Sequence, residues 1–137
     1  MAYWLVKSEP GAWSWDDHVR DGTAEWDGVR NHQANNNMKA MRVGERAFFY
    51  HSVNDKQIVG ILEVTREHYP DPSDASGRFG MVDFKALTPL ERPVTLAEIK
   101  AEPGLESMAL VKLSRLSVAP VSEEEWRIVC RMAETEA

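Results

Sequence analysis

The chain carries a single cysteine, Cys130, so it forms no intramolecular disulfide and no all-cysteine metal site, and a reducing compartment is its expected setting. No stretch approaches the roughly 18 apolar residues of a membrane span. Its start, Tyr3-Trp4-Leu5-Val6-Lys7, passes straight into a strand-like pattern without the basic region and long apolar segment of a secretory signal. A cytoplasmic protein without membrane contact is expected. Catalytic signatures are equally scarce: there is no G-x-S-x-G elbow and no glycine-rich phosphate loop. The four histidines, at 18, 32, 51 and 68, lack metal-ligand spacing, so neither a metal nor a cofactor is expected. His51, Ser52 and Asp55 have the residue types of a hydrolase triad, but three neighbours at a strand end and hairpin do not readily converge. Cys130 falls on the apolar side of a predicted helix, where it reads as a small buried hydrophobe.

Positive charge is also short. The formal net charge of −6 excludes coating a duplex, because that affinity comes from Lys and Arg displacing counterions. The distribution is uneven, however. Gly28 to Arg46 holds Arg30, Lys39, Arg42 and Arg46 against Glu45 alone, a local +3, whereas Ser122 to Ala137 carries five Glu against two Arg, a local −3. Lys39, Arg42 and Arg46 are thus candidates for a backbone-phosphate patch on an acidic body, or else ordinary solvated charges on a helix.

Apolar material is plentiful. At 137 residues and 43% hydrophobic, with five Trp and four Phe, the chain has enough to bury for one domain with a real core. Strands are predicted over Tyr3–Val6, Arg46–Tyr50, Ile58–Val64, Met81–Leu87 and Leu113–Val121, the second and third joined as a hairpin through Asn54-Asp55. Ser14/Asp17, Thr95/Glu98 and Ser122/Glu125 read as capping boxes that open short helices. They predict a helix ending near Gly22, one over Leu96–Ala101 stopped by Pro103-Gly104, and one over Glu123–Met132 with Trp126, Val129 and Cys130 on one face. A further helix spans Asn31–Met41, with Gly44 placed to stop it. Tyr69 to Gly77 is dense in turn formers and reads as a loop long enough to serve as a lid or a pocket edge. The order argues for an α+β domain, with a small barrel as one option.

One stretch looks chosen for something other than folding. From Trp26 to Ser52 the chain offers an aromatic beside the Asp27-Gly28 turn, then Arg30-Asn31, then amides at Gln33 and Asn35 to Asn37. Stacking surface and hydrogen-bonding groups lie together there, a chemistry that suits a flat ligand such as a nucleobase. The apolar run Ala47-Phe48-Phe49-Tyr50 then breaks into His51-Ser52, as a core strand delivering polar groups to a rim.

Tyr3-Trp4-Leu5-Val6-Lys7-Ser8-Glu9-Pro10, Trp26-Asp27-Gly28-Val29-Arg30-Asn31-His32-Gln33-Ala34, Phe49-Tyr50-His51-Ser52, Tyr69-Pro70-Asp71-Pro72 and Arg115-Leu116-Ser117-Val118 resemble, in order and spacing, the EVE domain. The resemblance runs from about residue 2 to residue 133, within a single domain over 1–137. It implies the PUA-like fold, a small β-barrel of five to six strands flanked by short helices, akin to the YTH domains that read N6-methylated adenine. By that resemblance the protein is a noncatalytic reader of a modified, methylated base in DNA or RNA. A closed base pocket beside a small basic patch prefers an unpaired or flipped target, and a monomer is favoured. The alternatives are a protein-interaction or small-molecule-binding module and, further off, a hydrolase.

The resemblance also assigns roles. Trp26 matches the first aromatic wall of the base cage, although a core Trp is the plain alternative. Lys7, Ser8 and Glu9 match positions at the end of the first strand, where Glu9 is placed to accept from an exocyclic amine, or simply to lie in a turn. Val29, Arg30 and Asn31 form or position the wall, with Arg30 either on phosphate or paired inside the fold. Tyr50, His51 and Ser52 face that turn, each bonding a base edge or the pocket's own backbone. The second wall is open among Tyr69, Pro70 and Phe79.

Overall fold

The computed structural model describes residues 2–135; Met1 and the last two residues of the acidic C-terminal segment lie outside the described residues. Its strands are β1 (Tyr3–Ser8), β2 (Thr23–Glu25), β3 (Arg46–His51), β4 (Gln57–Pro70), β5 (Gly80–Thr95) and β6 (Val118–Val121). The helices are α1 (Trp15–Asp21), α2 (His32–Ala40), α3 (Leu96–Ala101), α4 (Ala109–Lys112) and α5 (Glu123–Met132), with a 3₁₀ turn over Pro103–Leu105. The strands join one mixed sheet in the order β2-β5-β4-β3-β1-β6. β1 and β3 run parallel, from Tyr3 opposite Arg46 to Ser8 opposite His51. A parallel pair needs a long crossover, and α1, β2 and α2 all fall within it. The candidate site is built from that crossover.

Side-chain alternation divides the apolar residues between two faces. Trp4, Val6, Ala47 and Phe49 point to one, where Trp15 of α1, Ala34 and Met38 of α2, and Trp26 pack over them. Leu5, Phe48 and Tyr50 point to the other, covered by Ile99 of α3, Leu110 of α4, and Trp126 and Val129 of α5. Trp126 lies between Tyr3 and Phe48, its ring centroid 4.4 and 3.9 Å from theirs, which pins α5 to the second face. The three capping boxes form as expected, each with its side-chain and backbone bonds in both directions.

The α+β architecture agrees with the sequence, but the barrel does not close. β2 and β6 are the sheet's edges and do not pair with each other. Instead α2 bridges β6 and β5: Asn37 Nδ2–H donates to Val118 O of β6 (2.7 Å), and Asn35 Oδ1 accepts the Gly80 N–H of β5 (3.0 Å). Two amides that suggested ligand binding therefore hold the fold.

Four strands also differ from expectation. β2 has no apolar pattern to betray it, being three residues held only by pairing with Asp83 to Lys85 of β5. β4 and β5 extend well beyond Ile58–Val64 and Met81–Leu87, because a long hairpin continues as a largely solvated arm whose register shifts let it coil. Tyr69 and Pro70 thus end a strand rather than begin a loop. The strand expected over Leu113–Val121 shrinks to Val118–Val121; the residues from Leu113 to Arg115 are exposed, and β6 is an edge that tolerates Pro120.

Candidate functional site

A cleft of about 500 Å³, within the range of small-ligand sites, opens between the end of β1, α1 and β2. Ser8, Trp13, Asp21, Glu25, Trp26 and Asp27 line it, with Ala12 and Ala24 between them. Trp26 follows β2 directly, and its N–H donates to Val82 O at 2.8 Å. Its indole meets Phe49 and Phe84 edge-on at 5.5 and 5.7 Å and is only 8% exposed. Trp26 is therefore a core residue that also shows part of its ring to the cleft.

Trp13 is the second indole on the cleft, and no expectation drawn from the sequence included it. The Glu9 carbonyl accepts the N–H groups of Ala12 and Trp13, and Ser8 Oγ–H donates to Trp13 O at 2.5 Å, so the turn after β1 swings Trp13 onto α1. There Trp13 Nε1–H donates to His18 Nδ1 at 3.0 Å. His18 is fully buried, and its Nε2–H donates to Phe84 O at 2.8 Å. These two bonds fix the neutral tautomer, and burial lowers the imidazole's pKa from its ordinary value, outweighing the bond to Phe84 and the charge of Asp21. The only trace in the sequence is the Trp13-Ser14-Trp15 triplet just past the first turn. Trp15 itself is buried, its ring lying so close on Gly60 that an added Cβ would sit 2.6 Å from it.

The groups around the opening are a hydroxyl at Ser8 and carboxylates at Asp21, Glu25 and Asp27. Arg20 bonds Asp21 at 3.1 Å. Carboxylates only accept hydrogen bonds, so this lining favours a flat ligand that presents amino groups.

The turn behind Trp26 is organised by Asp71, which the sequence reading did not single out for this role. Gly28 adopts φ 79°, the left-handed region that glycine enters without strain, and its N–H donates to Asp71 Oδ2 at 2.9 Å. Arg30 reaches the same oxygen at 3.1 Å, while Ser73 N–H and Oγ–H donate to the other at 2.8 and 2.6 Å. Burial pushes the Asp71 carboxyl up, but the bonds from Ser73, Gly28 and Arg30 together bring its pKa down to about 2.

The remaining expected site residues scatter. Glu9 is exposed and not among the cleft's lining residues; its carbonyl makes the turn. Lys7 donates from Nζ to Ser114 O at 2.8 Å, and partial burial lowers its pKa. Val29 is buried in the first core. Arg30 pairs with Asp71 and Ser73 rather than standing free. Asn31 caps α2, its Oδ1 accepting the Ala34 N–H at 2.9 Å. Tyr50 points to the opposite face of the sheet from Trp26, because its position in β3 has the parity of Phe48. His51 accepts the Trp15 N–H on Nε2 and donates from Nδ1 to Asp55, both at 3.0 Å, which uses both ring nitrogens within the fold. Ser52 N–H donates to Ser8 O at 2.8 Å.

None of the three candidates for a second wall lines the cleft. Tyr69 donates to Asp83 Oδ1 at 2.5 Å and lies under Arg66; burial and that bond push its phenol up to about 12. Pro70 closes β4, and Phe79 packs on His32. Lys39 and Arg42 lie at the C-terminal end of α2, with Arg42 4.0 Å from Glu67. Arg46 shares the parity of Phe48 in β3, toward α5, so the three cations do not form one patch.

A mixed sheet covered by helices on both faces, with an indole-lined cleft at the end of its first strand, defines a PUA-like binding domain. The chain belongs to the EVE domain family, whose model matches residues 2–132. It is similar to thymocyte nuclear protein 1 of Mus musculus, 37% identical over 98% of this chain and 74% of that protein. A protein of Rhodopseudomonas palustris solved by NMR shares 61% identity, with a TM-score of 0.93 over 98% of this chain and 94% of that one. The crystal structure of human THYN1 protein in complex with 5-methylcytosine containing DNA shares 33% identity, with a TM-score of 0.90 over 100% of both chains.

Proposed function

We propose that this protein is a noncatalytic reader that binds a methylated nucleobase, foremost 5-methylcytosine in DNA, in the cleft lined by Trp13 and Trp26. The observation that carries the reading is that pair of indoles beside the carboxylates of Glu25 and Asp27. The likeness to a protein solved with 5-methylcytosine containing DNA supports it. A cytosine stacked on an indole gains about 1–3 kcal/mol, and its exocyclic amine is a donor suited to Asp27 or Glu25. The 5-methyl group adds about 0.8 kcal/mol on leaving water, a preference of about fourfold. A base enclosed in this way has left its stack, so unpaired or flipped targets bind best.

Titration of short single-stranded and duplex oligonucleotides carrying cytosine, 5-methylcytosine, adenine or N6-methyladenine tests this. The expected result is tightest binding of the 5-methylcytosine strand, with the single strand ahead of the duplex. Equal or absent binding across the set assigns the cleft to a small molecule or a protein partner.

A further inference from the structure

A second depression, about 330 Å³, is lined by Asn31, Gln33, Leu113, Ser114, Arg115 and Leu116. Arg115 belongs to a motif that the cleft does not use. Its side chain is exposed and, like those of Arg46, Arg66, Arg78 and Arg131, forms no ion pair among the described residues, whereas Arg20, Arg30, Arg42, Arg92 and Arg127 do. Of the unpaired arginines, Arg115 is the one that lines this hollow. Leu113 beside it is 46% exposed and, with Leu116, gives the hollow an apolar side opposite its amides and guanidinium.

Two short links join this hollow to the cleft. Lys7, next to the cleft residue Ser8, holds the 113–117 segment through Ser114 O and Ser117 O at 2.8 and 2.9 Å. On the other side the chain from Asp27 to Asn31 spans at most about 14 Å even if fully extended. Charge gives the direction. Asp21 is neutralised by Arg20, but Glu25 and Asp27 repel phosphates from the β2 side of the cleft, which directs a polyanionic strand over Ser8 and Asn31 toward the guanidinium of Arg115. Lys39 and Arg42 lie a helix length away, about 12 Å along α2 from its start.

We infer that this hollow is the phosphodiester subsite of the reader: Arg115 pairs with the phosphate flanking the captured base, Asn31 and Gln33 bond the adjoining sugar or base edge, and Leu113 packs against it. This rests on the base-reading function proposed above. A guanidinium on a phosphate contributes affinity and salt dependence without reading sequence.

The test is a titration of a single-stranded DNA oligonucleotide with one central 5-methylcytosine, and its unmethylated twin, between 50 and 200 mM salt. Wild type, Arg115→Gln, Arg115→Lys and Arg42→Gln are compared. Arg115→Gln is expected to bind more weakly at low salt and to lower the slope of log K against log salt by about 0.7, with an unchanged ratio of methylated to unmethylated affinity. Arg115→Lys restores the slope, and unchanged melting temperatures exclude misfolding. A wild-type slope in Arg115→Gln, or a slope loss in Arg42→Gln instead, overturns the inference. Wild-type protein that binds both strands equally overturns the base-reading function, while a slope loss in Arg115→Gln would still support the subsite. Wild-type protein that binds neither strand overturns both.

Discussion

His18 accepts the indole proton of Trp13 across 3.0 Å while donating its own proton to the Phe84 carbonyl, so one buried ring joins the wall of the cleft to the central sheet. The arrangement requires a neutral imidazole. Protonation would place a hydrogen on Nδ1, where Trp13 already points one. The folded-state pKa lies below the ordinary 6.5. The unfolded chain therefore binds the proton first, and the stabilisation is complete above about pH 6.5 and lost as pH falls through the folded value. Melting temperature and 5-methylcytosine affinity measured from pH 7.5 to 5.5 are expected to fall together. His18→Leu is expected to cost about 1–3 kcal/mol by leaving its partners unpaired and to flatten that pH response.

The two cleft tryptophans are expected to separate by assay. Trp26→Ala removes a ring packed on Phe49 and Phe84 and should cost about 3–5 kcal/mol of stability as well as binding. Trp13→Ala removes a partly exposed ring and should weaken base binding by about 1–3 kcal/mol with a far smaller change in unfolding. Denaturant unfolding beside oligonucleotide titration measures both. The reverse order would make Trp13 the structural residue.

Asp71→Asn keeps the shape of the side chain but gives up the charge-assisted bonds that hold Gly28 and Arg30. A loss of about 1–3 kcal/mol is expected, with looser base binding, because the turn that carries the Trp26 wall is no longer held. With the folded pKa depressed to about 2, the contribution of Asp71 is present above about pH 4 and disappears as pH drops toward 2. Acid unfolding of wild type and variant should converge at the low end of that range.

Cys130 is 8% exposed on the inner side of α5, and burial pushes its thiol up to about 11. At pH 8 it is expected to resist alkylation in the folded protein and to react on addition of denaturant. Fast labelling of native protein would place the thiol in a solvated position instead.

Much of the fold was legible because it depends on local chemistry. Ser14, Thr95 and Ser122 each announce a helix start through a partner three residues on, and the apolar residues of β1 and β3 are runs that fit a sheet covered on both faces. The candidate site was legible only in part. Trp26 was visible as an aromatic beside a glycine turn, but Trp13 was not, because what brings it to the cleft is His18 five residues later and the carbonyl of Phe84 on a distant strand. Asn35 and Asn37 looked like ligand groups because a polar cluster in sequence does not reveal whether its partners are a ligand or two edge strands. Tyr50 and His51 were drawn away from the site by the parity of β3 and by the Trp15 N–H.

By itself, then, the sequence determined the family, the α+β class and most helix boundaries, since capping and hydrophobic periodicity act over a few residues. Tertiary structure alone decided which groups line the cleft. A pocket is made by side chains far apart in the chain, and whether each faces ligand, core or backbone depends on the register and packing of strands that local sequence does not encode.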